Sequence, residues 1–194
     1  MFEYIKGLLT ELSPTYAIIE ANGIGYFINI TVNTYSKLKK GQECKLFLHE
    51  ILREDLHAIY GFENLSEREM FRKLITVNGV GANTARLILS SLSVNNVVQA
   101  INEENINVLK SVKGIGVKTA QRIVIELKDK LSDFDIQISE ISSSLNNTLQ
   151  KDALNALTML GFSKPNVEKV LIKLLKDNKE ISLENLIKLA LNYL

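Results

Sequence analysis

The sequence predicts an α+β fold in several domains: a small β-barrel, an all-α middle, a polar linker and a small helical end. Three observations carry this. Apolar residues alternate with a period of two within residues 1–62. The spacing becomes helical over 63–131 and again over 151–194. Between them, 132–150 is rich in serine and asparagine, with Ser142-Ser143-Ser144 and Asn146-Asn147 and no sustained period.

In the first segment, Tyr26, Ile28, Ile30 and Val32 alternate with Phe27, Asn29 and Thr31, which predicts a half-buried strand running through Val32. Asn22-Gly23 lies between that run and an apolar one over Tyr16 to Ile19, and this dipeptide suits the positive φ angles of a tight hairpin. Further strands fit Phe2–Leu12, Cys44–Leu52 and Leu56–Phe62, with Lys39-Lys40-Gly41-Gln42 as a polar turn. Five short strands in so short a span are best accommodated by closure, which removes exposed edges. An OB-type barrel is the leading choice, although the pattern alone does not separate it from an SH3-like one.

In the middle segment, Ser66-Glu67-Arg68-Glu69 reads as a capping box that starts a helix. Ser93 and Asn102 are expected to cap two more. Ile115, Ala120, Ile123, Val124, Leu127 and Leu131 form the apolar stripe of the last helix. In the final segment, Leu154, Leu157 and Leu160 lead to Gly161 as a helix stop. Ser163 with Pro165 opens the next helix and Ser182 caps another. A core this small suits a docking module.

Composition narrows the function. With 46% apolar and 23% charged residues the chain can pack real cores. No apolar run approaches the ~18 residues of a membrane span, and MFEYIKGLLTEL lacks the basic-then-apolar order of a signal peptide. The single Cys44 excludes an internal disulfide and suits a cytoplasmic location. With only His49 and His57 beside it, no metal site or cofactor is expected, and all three read as ordinary barrel side chains. The net charge is +1, but residues 63–130 carry 10 basic and 7 acidic side chains while each flank is slightly acidic. The middle is therefore the favoured nucleic-acid surface.

The most informative feature is an internal duplication. Leu74 to Ala85 recurs as Leu109 to Ala120 at a constant offset of 35 residues, with both glycines, the Thr-Ala pair and the apolar positions matched. Each copy resembles the helix-hairpin-helix motif: a short helix, Gly-apolar-Gly, then a second helix. Glycines permit the tight turn and a close backbone approach. Free N–H groups at the start of the following helix make a phosphate site that positions a duplex without reading its sequence. The expected DNA-binding residues are Gly79, Val80, Gly81, Asn83 and Thr84 in the first copy, and Gly114, Ile115, Gly116, Lys118, Thr119 and Arg122 in the second. A single copy could equally serve helix packing, but two matched copies, with Lys118 and Arg122 a turn apart, favour DNA. Gly116-Val117-Lys118-Thr119 is not a nucleotide-binding P-loop, because Val117 stands where that loop needs glycine. No ATPase is expected in this chain.

Taken with Arg53-Glu54-Asp55, Tyr60-Gly61-Phe62 and Leu160-Gly161-Phe162, these motifs make the whole chain resemble the RuvA family. The resemblance implies an OB-fold barrel over 1–62, tandem helix-hairpin-helix motifs over 63–131, a flexible linker over 132–150 and a three-helix, UBA-like motor-docking domain over 151–194. It implies a non-enzymatic homotetramer, one or two of which hold a four-way Holliday junction open and planar. The partners are then the hexameric motor ATPase RuvB, for branch migration in recombination and repair, and the junction nuclease RuvC. Leu157, Leu160, Gly161 and Phe162 are the expected partner-binding residues.

The family pattern also assigns Glu54 and Asp55 to an acidic pin, where fourfold repetition would gather eight carboxylates that repel phosphates. Without the family, two acids in a turn would read as merely solvated. Asn83 departs from the family pattern, which often has lysine there, so weaker phosphate binding is expected at the first hairpin. Two other functions compete. A nuclease or glycosylase would need Glu54 and Asp55 as metal ligands, yet no third ligand accompanies them. A single-strand binder would need exposed aromatics, whereas the six tyrosines and seven phenylalanines mostly fall at expected core positions.

Overall fold

The computed structural model describes residues 2–139, 145–177 and 181–194. The chain divides into two compact units, 1–138 and 139–194.

The first unit opens with a closed barrel of β1 (Tyr4–Leu12), β2 (Tyr16–Ala21), β3 (Ile24–Ile30), β4 (Glu43–Arg53) and β5 (Leu56–Phe62), in the order β1-β2-β3-β5-β4. Asn22 and Gly23, at φ 52° and 78°, form the two-residue turn expected between β2 and β3. Antiparallel β1–β4 pairing and a short parallel β3–β5 contact, Asn29 to Tyr60 and Ile30 to Gly61, close the sheet. That order and the parallel contact make the barrel an OB fold. Gly61 is needed at the closure, because a β-carbon there would stand 2.5 Å from Ile28 Cγ2. Ile5, Leu9, Ala17, Ile19, Ile28, Ile30, Leu46 and Leu48 fill the interior at the inward positions of the alternating pattern.

The strand expected through Val32 stops at Ile30. Thr31 instead caps a one-turn helix, α1 (Val32–Tyr35), by accepting the Thr34 N–H. Alternation could not reveal this, because α1 is held by tertiary contacts. Asn33 donates to the Leu89 and Leu92 carbonyls, and the Val32 N–H donates to Ser90 Oγ.

The helical part comprises α2 (Leu65–Ile75), α3 (Ala82–Ser91), α4 (Val94–Asn102), α5 (Ile106–Lys110) and α6 (Val117–Ser139). Two expected caps are corrected. Asn64, not Ser66, caps α2 by accepting the Glu67 N–H at 2.8 Å, and Ser66 donates to Asn64 Oδ1. Asn105, not Asn102, caps α5. In both cases several polar residues stand side by side, and only the one whose backbone leaves the helix can cap it. Ser93 caps α4 as expected.

Tyr60 and Phe62 of β5 pack with Met70, Phe71 and Leu74 of α2 in one core that runs through the helices to Leu131. The barrel wall is thus also the floor of the helical part. Helix α6 continues to Ser139, past the expected end at Leu131. Leu131, Phe134 and Ile138 extend its apolar spacing into the sequence expected as linker. Residues 140–144 of that stretch lie outside the described residues.

In the second unit, α7 (Leu145–Met159), α8 (Lys164–Asp177) and α9 (Leu183–Leu191) enclose Ala153, Leu157, Val167, Leu171, Leu174, Leu186 and Ala190. Gly161 ends α7 at φ 100°, with the Phe162 N–H on the Leu157 carbonyl and the Gly161 N–H on that of Thr158. This is a Schellman stop.

Candidate nucleic-acid interface

The two sequence copies fold into the same local structure. In the first, the Val77 N–H donates to the Leu74 carbonyl and the Val80 N–H to that of Val77, turning the chain through Gly79 at φ 87°. In the second, Val112 donates to Leu109 and Ile115 to Val112, turning through Gly114 at φ 89°. A left-handed φ at matched positions is why each copy carries glycine there. The apolar residue between the glycines points inward: Val80 is 4% and Ile115 6% exposed. Both therefore anchor the turn, and their N–H groups are already used within it.

What faces outward is the start of the next helix. The Ala85 N–H returns to the Gly81 carbonyl and the Ala120 N–H to that of Gly116. Residues 82–84 and 117–119 precede these first helical bonds, so their N–H groups are the unpaired donors of a helix start. No side chain caps α3. Nothing lies within 4 Å of a β-carbon built on Gly81, Gly114 or Gly116, so the approach is open. Asn83, Lys118 and Arg122 are exposed, and Thr84 and Thr119 half-buried. Each motif thus presents outward-facing N–H donors beside an unobstructed backbone, the geometry of an anion site.

Glu54 and Asp55 form the two-residue turn beyond the last β4–β5 pair, Arg53 with Leu56. Both are exposed, as expected of a projecting hairpin tip. Beside them Leu52 and Leu56 are 72% and 44% exposed, and His57 bonds Glu50 at 2.8 Å. No group of three or more His, Cys, Asp or Glu able to hold a metal occurs among the described residues. Cys44 is half-buried against the barrel core. His49 leans edge-on against Phe71 of α2, and its imidazole is held below its usual range by burial and by Arg72 and Arg68.

The aromatic residues depart from expectation. Tyr60, Phe62 and Phe71 are core, but Phe2, Tyr4, Phe27 and Tyr193 are 45–63% exposed. Phe27 stacks on Tyr16 at 4.9 Å on the outer face of β2 and β3. Alternation does not say which of the two sides is covered, and here part of the outer side is not. In the second unit Leu157 is fully buried, so it supports the small core, while Leu160 is 62% exposed beside Met159 at 90%. Met159 carries no sequence signal, since it continues no apolar stripe.

Family models match nearly the whole chain: "RuvA N terminal domain" over residues 1–61, "SAM-like Helix-hairpin-helix tandem" over 71–129 and "RuvA, C-terminal domain" over 148–194. The chain belongs to the RuvA family. RuvA-family relatives align end to end. The chain is 46% identical to the Holliday junction branch migration complex subunit RuvA of Bacteroides thetaiotaomicron, and 45% identical to those of Bacteroides fragilis and Christiangramia forsetii. In each case the alignment covers 100% of both chains. No helix among the described residues is long and apolar enough to cross a membrane.

Proposed function

We propose that this chain binds four-way DNA junctions without sequence preference, keeps them open and planar, and delivers them to a separate motor for branch migration. The observation that carries the reading is the pair of matching hairpins, whose open glycine turns and helix-start N–H groups would hold two stretches of phosphate backbone. The names of its full-length relatives support junctions as the substrate. On this reading the chain works in the cytoplasm as a homotetramer, one or two per junction. The exposed Glu54-Asp55 turns then meet at the crossover and repel phosphates there. ATP hydrolysis belongs to the hexameric motor RuvB, docked by residues 151–194 through the surface around Leu160, and RuvC supplies the junction nuclease. Residues 63–131 are the DNA-binding domain.

The test is a gel-shift titration on four-way junction, linear duplex and single strand, each across a salt series. Wild type should prefer the junction, with an affinity that falls steeply with salt. Gly81→Glu and Gly116→Glu suit this test better than changes at the positive-φ glycines, because both sites have space for a side chain and Gly81 sits at φ −82°. Each should cut junction binding by roughly tenfold or more, by placing a carboxylate beside phosphate. Normal binding by both folded variants would defeat the hairpin reading. The stacked pair of half-buried Tyr16 and exposed Phe27 gives single-strand stacking some support, but Glu11 bonds Tyr16 and would repel a phosphate chain. Preference for the single strand in the same titration would favour that reading instead.

A further inference from the structure

The two hairpins share a backbone geometry but not a charge. At the constant offset of 35 residues, Lys110, Lys113, Lys118 and Arg122 of the second copy correspond to Ile75, Asn78, Asn83 and Leu87 of the first. Four cationic positions thus face four uncharged ones. The cations that the first copy does carry are turned toward the protein. Arg72 donates to Glu69 at 3.0 Å and to the Leu48 carbonyl at 3.5 Å, and Lys73 Nζ donates to the Lys130 carbonyl at 2.9 Å. Arg86 reaches the Thr15 carbonyl and Asn29 Oδ1, both at 3.1 Å, and so ties α3 to the barrel. Arg122 behaves differently. It belongs to the second copy, yet its Nη1 lies 3.8 Å from where a β-carbon on Gly79 would stand, at the turn of the first.

We propose that Arg122 is a shared cation, serving the phosphate at the first hairpin as well as its own and supplying the charge that Asn83 and Leu87 leave out. This rests on the reading of both hairpins as phosphate sites. The chemistry suits arginine: the guanidinium is a planar fork with five donors, able to bond two oxygens from separate groups, where an ammonium acts as a point charge. The first hairpin would then grip DNA with backbone amides plus one borrowed side chain. Its salt dependence would be governed by a residue 43 positions beyond its own glycine turn.

A double-mutant cycle on junction DNA with the full-length chain tests this, using Arg122→Ala, Asn83→Lys and their combination, with Lys118→Ala as reference. Each phosphate contact adds about 0.9 to the slope of log affinity against log salt. Lys118→Ala and Arg122→Ala each remove one positive charge, so each should lower that slope by about one unit. Between roughly 50 and 200 mM salt, the affinity drop should shrink about 3.5-fold for either variant. Asn83→Lys should strengthen binding more in the Arg122→Ala background than in wild type, because it replaces a cation that is missing only there. It should show no such excess with Lys118→Ala. Equal gains from Asn83→Lys in all backgrounds would overturn the shared cation. Gly81→Glu and Gly116→Glu separate the two levels. If they abolish binding while the cycle is additive, only the sharing fails; if they bind normally, the hairpin reading itself fails.

Discussion

Glu67 is the residue whose role most depends on its surroundings. It is 4% exposed, and its carboxylate accepts Thr31 Oγ1 at 2.5 Å and Thr34 Oγ1 at 2.8 Å, both themselves fully buried. Thr34 Oγ1 in turn accepts the Glu63 N–H. The group links α1 of the barrel to α2, and burial raises its pKa above the ordinary value of 4.5 against the pull of the two hydroxyls. The folded chain therefore favours the protonated form more than the unfolded chain does. Its contribution to stability is complete below the ordinary value and is lost as pH rises through the raised one. Glu67→Gln is neutral throughout and keeps the Thr31 bond, so its stability relative to wild type should climb as pH rises across that window. Denaturant unfolding of both proteins over a pH series measures this; a constant difference would show that Glu67 has the same pKa in the folded and unfolded chain. In the sequence Glu67 looks like a surface residue inside a capping box, because its partners lie more than 30 positions away.

Among the elements, the β4–β5 hairpin carries the clearest electrostatic prediction. Glu54→Gln with Asp55→Asn preserves shape and removes two exposed charges per subunit. If the tip acts by repulsion, junction binding should be equal or tighter, plain duplex should bind several-fold better, and the ratio between them should fall. The effect should fade with salt, since the Debye length is about 8 Å at physiological ionic strength. Paired titrations on both DNAs at two salt concentrations would reveal it, and an unchanged ratio at low salt would leave the repulsion reading without support. Element boundaries were legible where the turn chemistry is particular to one place. Asn22-Gly23 and Gly161 stand where they were expected. The caps of α2 and α5 each slipped to a neighbouring asparagine, because Asn64 and Ser66, or Asn102 and Asn105, offer equivalent side chains within a few residues. Helix α1 is not legible in the sequence because four residues carry too little pattern, and its docking on α3 supplies what they lack.

For the molecule as a whole, the boundary between the compact units predicts how function divides. A chain ending at Ile138 keeps the barrel, both hairpins and the shared core intact. It should bind junctions within about twofold of the full chain, since no phosphate contact is removed, and fail to stimulate the motor in a branch-migration assay. Normal migration by the truncated chain would remove the docking role of residues 151–194. The sequence by itself determined what is local or repeated: strand alternation, the hairpin turn, the duplicated Gly-apolar-Gly motif and the family those motifs announce. These are legible because neighbouring residues set backbone torsions and periodicity directly. Only the tertiary structure decided the barrel's strand order through the β3–β5 contact, the use of Tyr60 and Phe62 as floor for the helices, the burial of Glu67 and the approach of Arg122 to Gly79. Each joins residues far apart in the chain, where the outcome depends on which surfaces exclude water together, and no single segment contains that information.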